Sequence, residues 1–144
     1  DPNEVSWAGA IGLMQLMPDT GKRYNATNLN NPKANILAGM RHVKHLDALW
    51  GKTIEDKNER IKFVLASYNV GLGHVVDARD LAKKYGKNPL VWDDNVAYYL
   101  LSKSQSKYFN DEVAKSGYCR CEEPINYVKN VLSRYEQYKQ LLDG

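Results

Sequence analysis

The chemistry-bearing residues of this chain fall into a few short segments. In Glu123-Pro124-Ile125-Asn126-Tyr127-Val128, a spacing of four puts Glu123 and Tyr127 on one face of a helix's first turn. The two could line a cleft together, or serve as a helix-start carboxylate beside a packing ring. Ala66-Ser67-Tyr68-Asn69-Val70-Gly71-Leu72-Gly73 sets Tyr68 and Asn69 in the last helical turn before a glycine break. Side chains there reach into whatever cleft the turn borders; a core tyrosine and a helix-ending asparagine fit as well. Ser6-Trp7-Ala8-Gly9-Ala10-Ile11-Gly12-Leu13-Met14-Gln15-Leu16-Met17-Pro18 combines small residues, which admit a ligand or a second backbone, with an amide between soft thioethers. Gln15 between Met14 and Met17 suits a ligand that is itself amphipathic, and the small residues equally suit helix packing. His42 and His45 lack a third ligand on their helix face and read as surface or core residues. No Ser-His-Asp order, phosphate loop or dinucleotide fingerprint is present.

The elements that must position these residues are helical. Asn31-Pro32 reads as an N-cap with proline at the first helical position, followed by Ile36, Met40, Val43, Leu46 and Trp50 on one expected buried face. A second helix starts at Asn58, with Ile61, Val64, Leu65 and Tyr68 inward, and breaks at Gly71. A third runs from about His74 to Tyr85 and stops at Gly86, ahead of a turn at Asn88-Pro89. Asp93 or Asp94 caps a short helix through Tyr99 and Leu101, and Ser106 to Lys115 forms another. The last and longest helix opens at Glu122, Glu123 and Pro124, where anions favour the helix dipole. Its stripe holds Ile125, Val128, Leu132, Tyr135 and Leu142, widened by Val131 and Tyr138. No alternating run argues for a sheet. One all-α domain over residues 1–144 is the expectation.

Composition bounds the function. A chain of 144 residues can bury a core without disulfide or metal staples. An apolar fraction of 43% with 26% charged residues is ordinary for a globular domain, and no apolar run approaches the roughly 20 residues of a membrane helix. The net charge of +3 is spread along the chain, a weak preference for anionic polymers without the basic recognition helix of a nucleic-acid binder. Ten Tyr and three Trp against two Phe favour amphipathic aromatic faces, which sugar-binding clefts need and helix seams also use. Cys119 and Cys121 form a lone Cys-x-Cys; closing a ring across one residue is tight, so two free thiols are the expectation.

Taken together, the segments resemble a known family. Ser6-x-x-Gly9-Ala10-x-Gly12-Leu13-Met14-Gln15-Leu16-Met17-Pro18 is similar to the signature of the soluble lytic transglycosylase (SLT) domain, of the lysozyme-like superfamily. Ala66-x-Tyr68-Asn69-x-Gly71 resembles its second motif. Glu123 to Tyr127-Val128 resembles its third, a Glu-Thr-x-x-Tyr-Val pattern, with Pro124 in place of Thr. Order and separations agree over nearly the whole chain. The resemblance implies an all-α, lysozyme-like (SLT or goose-type) helical domain that cleaves the MurNAc–GlcNAc bond of peptidoglycan without water, leaving 1,6-anhydro-MurNAc ends. It implies that Ser6, Met14, Gln15, Met17, Tyr68, Asn69, Glu123 and Tyr127 line the glycan cleft. The family's single general acid/base Glu precedes a serine at the start of the first motif; that position falls four residues before Asp1, so no catalytic residue is expected in this chain. Glu4 occupies a variable surface position of the motif.

The resemblance further implies peptidoglycan glycan strands as partner, no nucleic acid, no membrane contact by the domain itself, a monomer, and an extracytoplasmic setting in the periplasm or at the outer membrane. Two alternatives remain open: a catalytically inactive glycan-binding module, and a muramidase-type hydrolase of the same fold. No metal site and no cofactor are expected, because no ligand set has suitable spacing. Cleavage by the domain carrying its Glu should therefore survive EDTA, and loss of turnover that zinc restores would contradict this.

Overall fold

The computed structural model describes residues 30–143. Among them every regular element is helical and no strand forms, as the all-α expectation requires. Two compact units are distinguished, Asp1–Ala48 and Leu49–Gly144, with the boundary inside the first described helix; each is taken by itself.

Helix α1, Pro32–Gly51, begins as anticipated. The Asn31 side chain accepts a hydrogen bond from the Ala34 N–H at 3.1 Å, and Pro32 holds the first position. Its buried side departs from the expected stripe. Asn35, Ala38, Gly39, Leu46 and Trp50 are buried, whereas Ile36 is 40% and Met40 61% exposed. Apolar residues surround the first turns of α1, so periodicity admits two faces. The small residues Ala38 and Gly39, not the large ones, turn inward.

The second unit is organised around α2, Lys57–Val70. Its N-cap is Asp56, whose carboxylate accepts from the Asn58 and Glu59 amides at 2.8 and 3.2 Å. Phe63, Val64, Ala66 and Ser67 are buried. The Phe63 ring centroid lies 5.0 Å from Trp50 and 5.2 Å from Trp92, tilted against one and edge-on to the other. The buried Trp50 indole N–H donates to Ser67 Oγ at 2.9 Å, so the polar edge of this cluster is satisfied. Ile61, expected inside, is exposed, because the inner side of α2 is centred on Phe63 and Ser67. Gly71 ends the helix at φ +103°, a conformation that L side chains rarely adopt, and α3, Leu72–Lys84, departs at once. It closes at Gly86 with a paired cap: Lys87 N–H donates to Ala82 O at 2.8 Å and Gly86 N–H to Lys83 O at 3.4 Å.

The later elements are shorter than expected. Asp93 and Asp94 do not cap a helix. They sit in a kinked turn over Trp92–Val96, with Asp94 at φ 60° and the Asp93 carboxylate engaged by Lys62 Nζ at 3.1 Å. Helix α4, Ala97–Ser102, follows and buries Tyr99 and Leu100. Helix α5 covers only Ser106–Phe109 and does not continue to Lys115. Asp111 accounts for the difference: it accepts from the Val113 amide, from Lys84 Nζ and from the Tyr85 hydroxyl, which folds the chain into turns. Helix α6, Glu122–Asp143, is the longest, but of its expected stripe Val128 alone is buried, beside Pro124. Tyr135 is 60% and Leu142 86% exposed. Helices α3 and α6 pack on α2, and α4 packs on α3.

Cys119 and Cys121 correct the free-thiol expectation: they form a disulfide, with Cα atoms 5.3 Å apart, inside the span a disulfide bridges. Both are buried while Arg120 is exposed. The chain bends outward over Arg120, and the Cys119 amide is held by Lys103 O at 3.3 Å.

A charged network lies beneath this loop. Lys103 and Asp77 are fully buried and pair at 2.7 Å. Lys103 Nζ also contacts His74 Nδ1 at 2.7 Å. Asp77 Oδ1 accepts from the Lys115 amide at 2.9 Å, and Oδ2 from the Ser116 amide at 2.8 Å. Burial draws Lys103 below the ordinary lysine value, against the pull of the Asp77 carboxylate. His74 is likewise held low, first by burial and then by the Lys103 ammonium, with Asp77 opposing. With Lys103 donating to Nδ1, the neutral imidazole carries its proton on Nε2. A histidine harder to protonate in the fold binds fewer protons there than when unfolded, so stability falls as pH drops through the ordinary histidine value, about 6.5. The melting temperature should fall between about pH 7.5 and about pH 5.5, and fall less in His74→Gln, whose amide can accept from Lys103 but cannot titrate. Parallel pH slopes for the two proteins would contradict this.

Candidate functional site

The segment after Gly71 is fixed by the glycine break, and Tyr68 stands one turn before it on α2. Tyr127 stands one turn into α6, after the proline that opens that helix. Because α2 and α6 pack together, two residues fifty-nine positions apart in sequence become neighbours. Each is half-buried. Burial pushes the Tyr68 hydroxyl far above its ordinary value, and the nearby Tyr127 adds to the shift. Tyr127 is raised by burial as well. Both phenols therefore stay protonated across physiological pH, as neutral donors on rings that present apolar area.

The other expected residues divide clearly. Asn69 is half-buried beside Tyr68, and Glu123 is exposed one turn before Tyr127. The exposed Arg120 and Glu122 lie 3.8 Å apart at the entrance of α6. Ser6, Met14, Gln15 and Met17, like Glu4, lie outside the described residues. His42 is half-buried and His45 exposed, and among the described residues no group of three or more His, Cys, Asp and Glu gathers to hold a metal ion. None of the described helices is long and apolar enough to cross a membrane.

Sequence reasoning missed the Asp77–Lys103–His74 network. The two paired charges are twenty-six positions apart, on helices whose packing no local pattern announces. A weak signal existed: Asp77 sits between Val75, Ala78 and Leu81 on the buried side of α3, where an acid needs a partner. A second aromatic group was also unannounced. Tyr85 stacks on Tyr99 with centroids 5.8 Å apart, Tyr108 meets both edge-on, and Lys107 Nζ lies 5.5 Å from the centre of the Tyr85 ring. These rings engage one another, as tyrosines at helix seams do.

The family model described as the transglycosylase SLT domain matches residues 1–91, a span that includes Tyr68 and Asn69. Similar proteins extend the likeness through Tyr127. The membrane-bound lytic murein transglycosylase F of Aeromonas hydrophila subsp. hydrophila is 35% identical over 136 residues, covering 94% of this chain and 27% of the relative. The protein of that name from Photobacterium profundum is 36% identical, covering 94% and 26%, and that from Vibrio parahaemolyticus is 36% identical, covering 94% and 25%. The chain thus spans about a quarter of the length of these curated relatives. With the model matching well over half of its residues, and Tyr68 and Tyr127 drawn together by α2 and α6, the chain belongs to the transglycosylase SLT domain family.

Proposed function

We propose that this chain is the glycan-binding body of a peptidoglycan lytic transglycosylase domain. The observation that carries the reading is that Tyr68 and Tyr127, the tyrosines of two separate family motifs, stand on packed helices near enough for one to raise the other's pKa, both protonated and half-buried. Two flat rings with hydroxyl tips suit a sugar chain, which offers apolar ring faces rimmed by hydroxyls. Asn69 and Glu123 extend this wall. The other lining, Ser6, Met14, Gln15 and Met17, rests on the resemblance of the first motif. The partner is the glycan strand, met outside the cytoplasm by a monomeric domain that touches no membrane itself, in keeping with relatives named membrane-bound murein transglycosylases.

The chemistry is a single-carboxyl variation on glycosidase catalysis. One Glu protonates the glycosidic oxygen and the bond from the muramyl anomeric carbon to that oxygen breaks. The muramyl C6 oxygen then attacks the anomeric carbon and its proton goes to the same carboxylate. The products are a GlcNAc hydroxyl and a 1,6-anhydro end, and no water is consumed. Such a carboxyl must carry a proton near neutral pH, which an apolar setting favours. Glu123 is exposed, which supports reading it as part of the wall rather than as that acid. The acid/base role is proposed for the Glu that precedes the serine of the family's first motif.

Three proteins test this: the chain itself, the chain extended upstream through the expected Glu-Ser, and the extended chain with that Glu changed to Gln. Muropeptide mass analysis should find anhydro ends from the extended chain and not from its Gln form, since losing general acid–base help typically costs about 10²–10⁴-fold. Tyr68→Ala in the extended chain should lower turnover at least about tenfold, or ~1.4 kcal/mol, with the fold intact. Products heavier by one water would establish a hydrolase, and anhydro products from residues 1–144 would place the acid at Glu4 or Glu123.

A further inference from the structure

We infer that Asp77 and Lys103 are positioning residues that hold the Tyr127-bearing wall in register, an inference that rests on the glycan-binding reading of that wall. The geometry points to it by converging three backbone segments on one carboxylate. Asp77 projects from α3, and Lys103 follows the last turn of α4 and pairs with it at 2.7 Å. The third segment is the turn at Lys115 and Ser116, whose amides both donate to Asp77, at 2.9 and 2.8 Å. Lys103 holds the same loop a second time through its own backbone, since its carbonyl accepts from the Cys119 amide at 3.3 Å.

What hangs from this point is the start of α6. After Ser116 the chain turns at Gly117, φ +75°, and is closed by the Cys119–Cys121 disulfide. Glu122 then opens the helix that carries Glu123 and Tyr127. Between the clamp and α6 there is no further regular element, so the two amides and the disulfide set where the first turn of α6 begins. Gly73 takes part as well. A Cβ there would collide with Ser116 Oγ, so the loop lies directly on the first turn of α3.

Stability alone is a poor reason for such a pair. Taking both charges out of water is costly, and well-packed apolar substitutes are often as stable or more so. An apolar pair, however, offers the Lys115 and Ser116 amides no acceptor. The carboxylate is required by the loop, and the ammonium by the buried carboxylate.

The test uses the full chain and two double variants in which no charge is stranded, Asp77→Ala/Lys103→Met and Asp77→Asn/Lys103→Met. Two readouts are taken: residue-resolved amide hydrogen exchange, and affinity for a peptide-free GlcNAc–MurNAc tetrasaccharide. In the alanine variant, exchange at Lys115, Ser116, Cys119 and the first turn of α6 should quicken at least about tenfold, while Val64 and Leu81 keep their protection. Affinity should drop at least about tenfold. The asparagine variant restores one acceptor oxygen and should recover part of both losses. Unchanged exchange at α6, loss of protection spread evenly over the domain, or a loosened α6 with undiminished affinity would each overturn the inference. If the wild-type chain does not bind the tetrasaccharide, the glycan reading fails, and the exchange pattern alone then decides whether Asp77 and Lys103 set the start of α6.

Discussion

A buried carboxylate that takes three donors from two other segments constrains the second unit of this chain more than any apolar contact does. Hydrophobic packing around Phe63, Trp50 and Trp92 is tolerant of small changes in volume and orientation. Asp77 is not. Its two oxygens meet Lys103 Nζ and the amides of Lys115 and Ser116, and Lys103 in turn meets His74. Removing any one partner leaves a charge or an amide unsatisfied away from water, which costs more than the bond contributes when made. Helices α3 and α4 and the loop before α6 are therefore fixed relative to each other by direction, not only by contact.

On the proposed reading, glycan binding depends on what that loop delivers. Packing of α2 on α6 brings Tyr127 to Tyr68, but packing between helices allows sliding and rotation that hydrogen bonds at a loop do not. The disulfide at Cys119 and Cys121 shortens the remaining slack just before Glu122. At the other tyrosine, Gly71 ends α2 immediately after the turn that holds Tyr68 and Asn69. Both tyrosines thus lie near helix ends whose positions are set by backbone features, with their rings half out of water. A site so built presents apolar faces and protonated hydroxyls at once.

Much of this was legible in the sequence, and the parts that were share a physical cause. The Asn31 and Pro32 start, the Gly71 break, the Gly86 stop and the opening of α6 at Glu122 are local backbone chemistry, written in a few adjacent residues. The family motifs carried Tyr68 and Tyr127. What was not legible depends on distant partners. Which face of α1 is buried could not follow from periodicity when Ile36, Leu37 and Met40 competed with Ala38 and Gly39. The helix expected through Lys115 failed because the Asp111 side chain binds its own loop and Lys84 across twenty-seven positions. The Cys119–Cys121 bond depended on the bend over Arg120 and on the grip of Lys103 on Cys119. On α6, Val128 is the one residue of the expected stripe that is buried, while Tyr135, Tyr138 and Leu142 are exposed, a difference that periodicity alone does not decide.

If Tyr68 and Tyr127 act as one glycan-gripping wall, their contributions to binding are coupled. A double-mutant cycle on affinity for a GlcNAc–MurNAc tetrasaccharide, comparing the chain with Tyr68→Ala, Tyr127→Ala and the pair together, tests it most directly. Each single change should weaken binding, and the two should be coupled by at least about 0.5 kcal/mol, as neighbouring residues that grip one ligand are. Losses that simply add, or single variants that bind as the unaltered chain does, would contradict it.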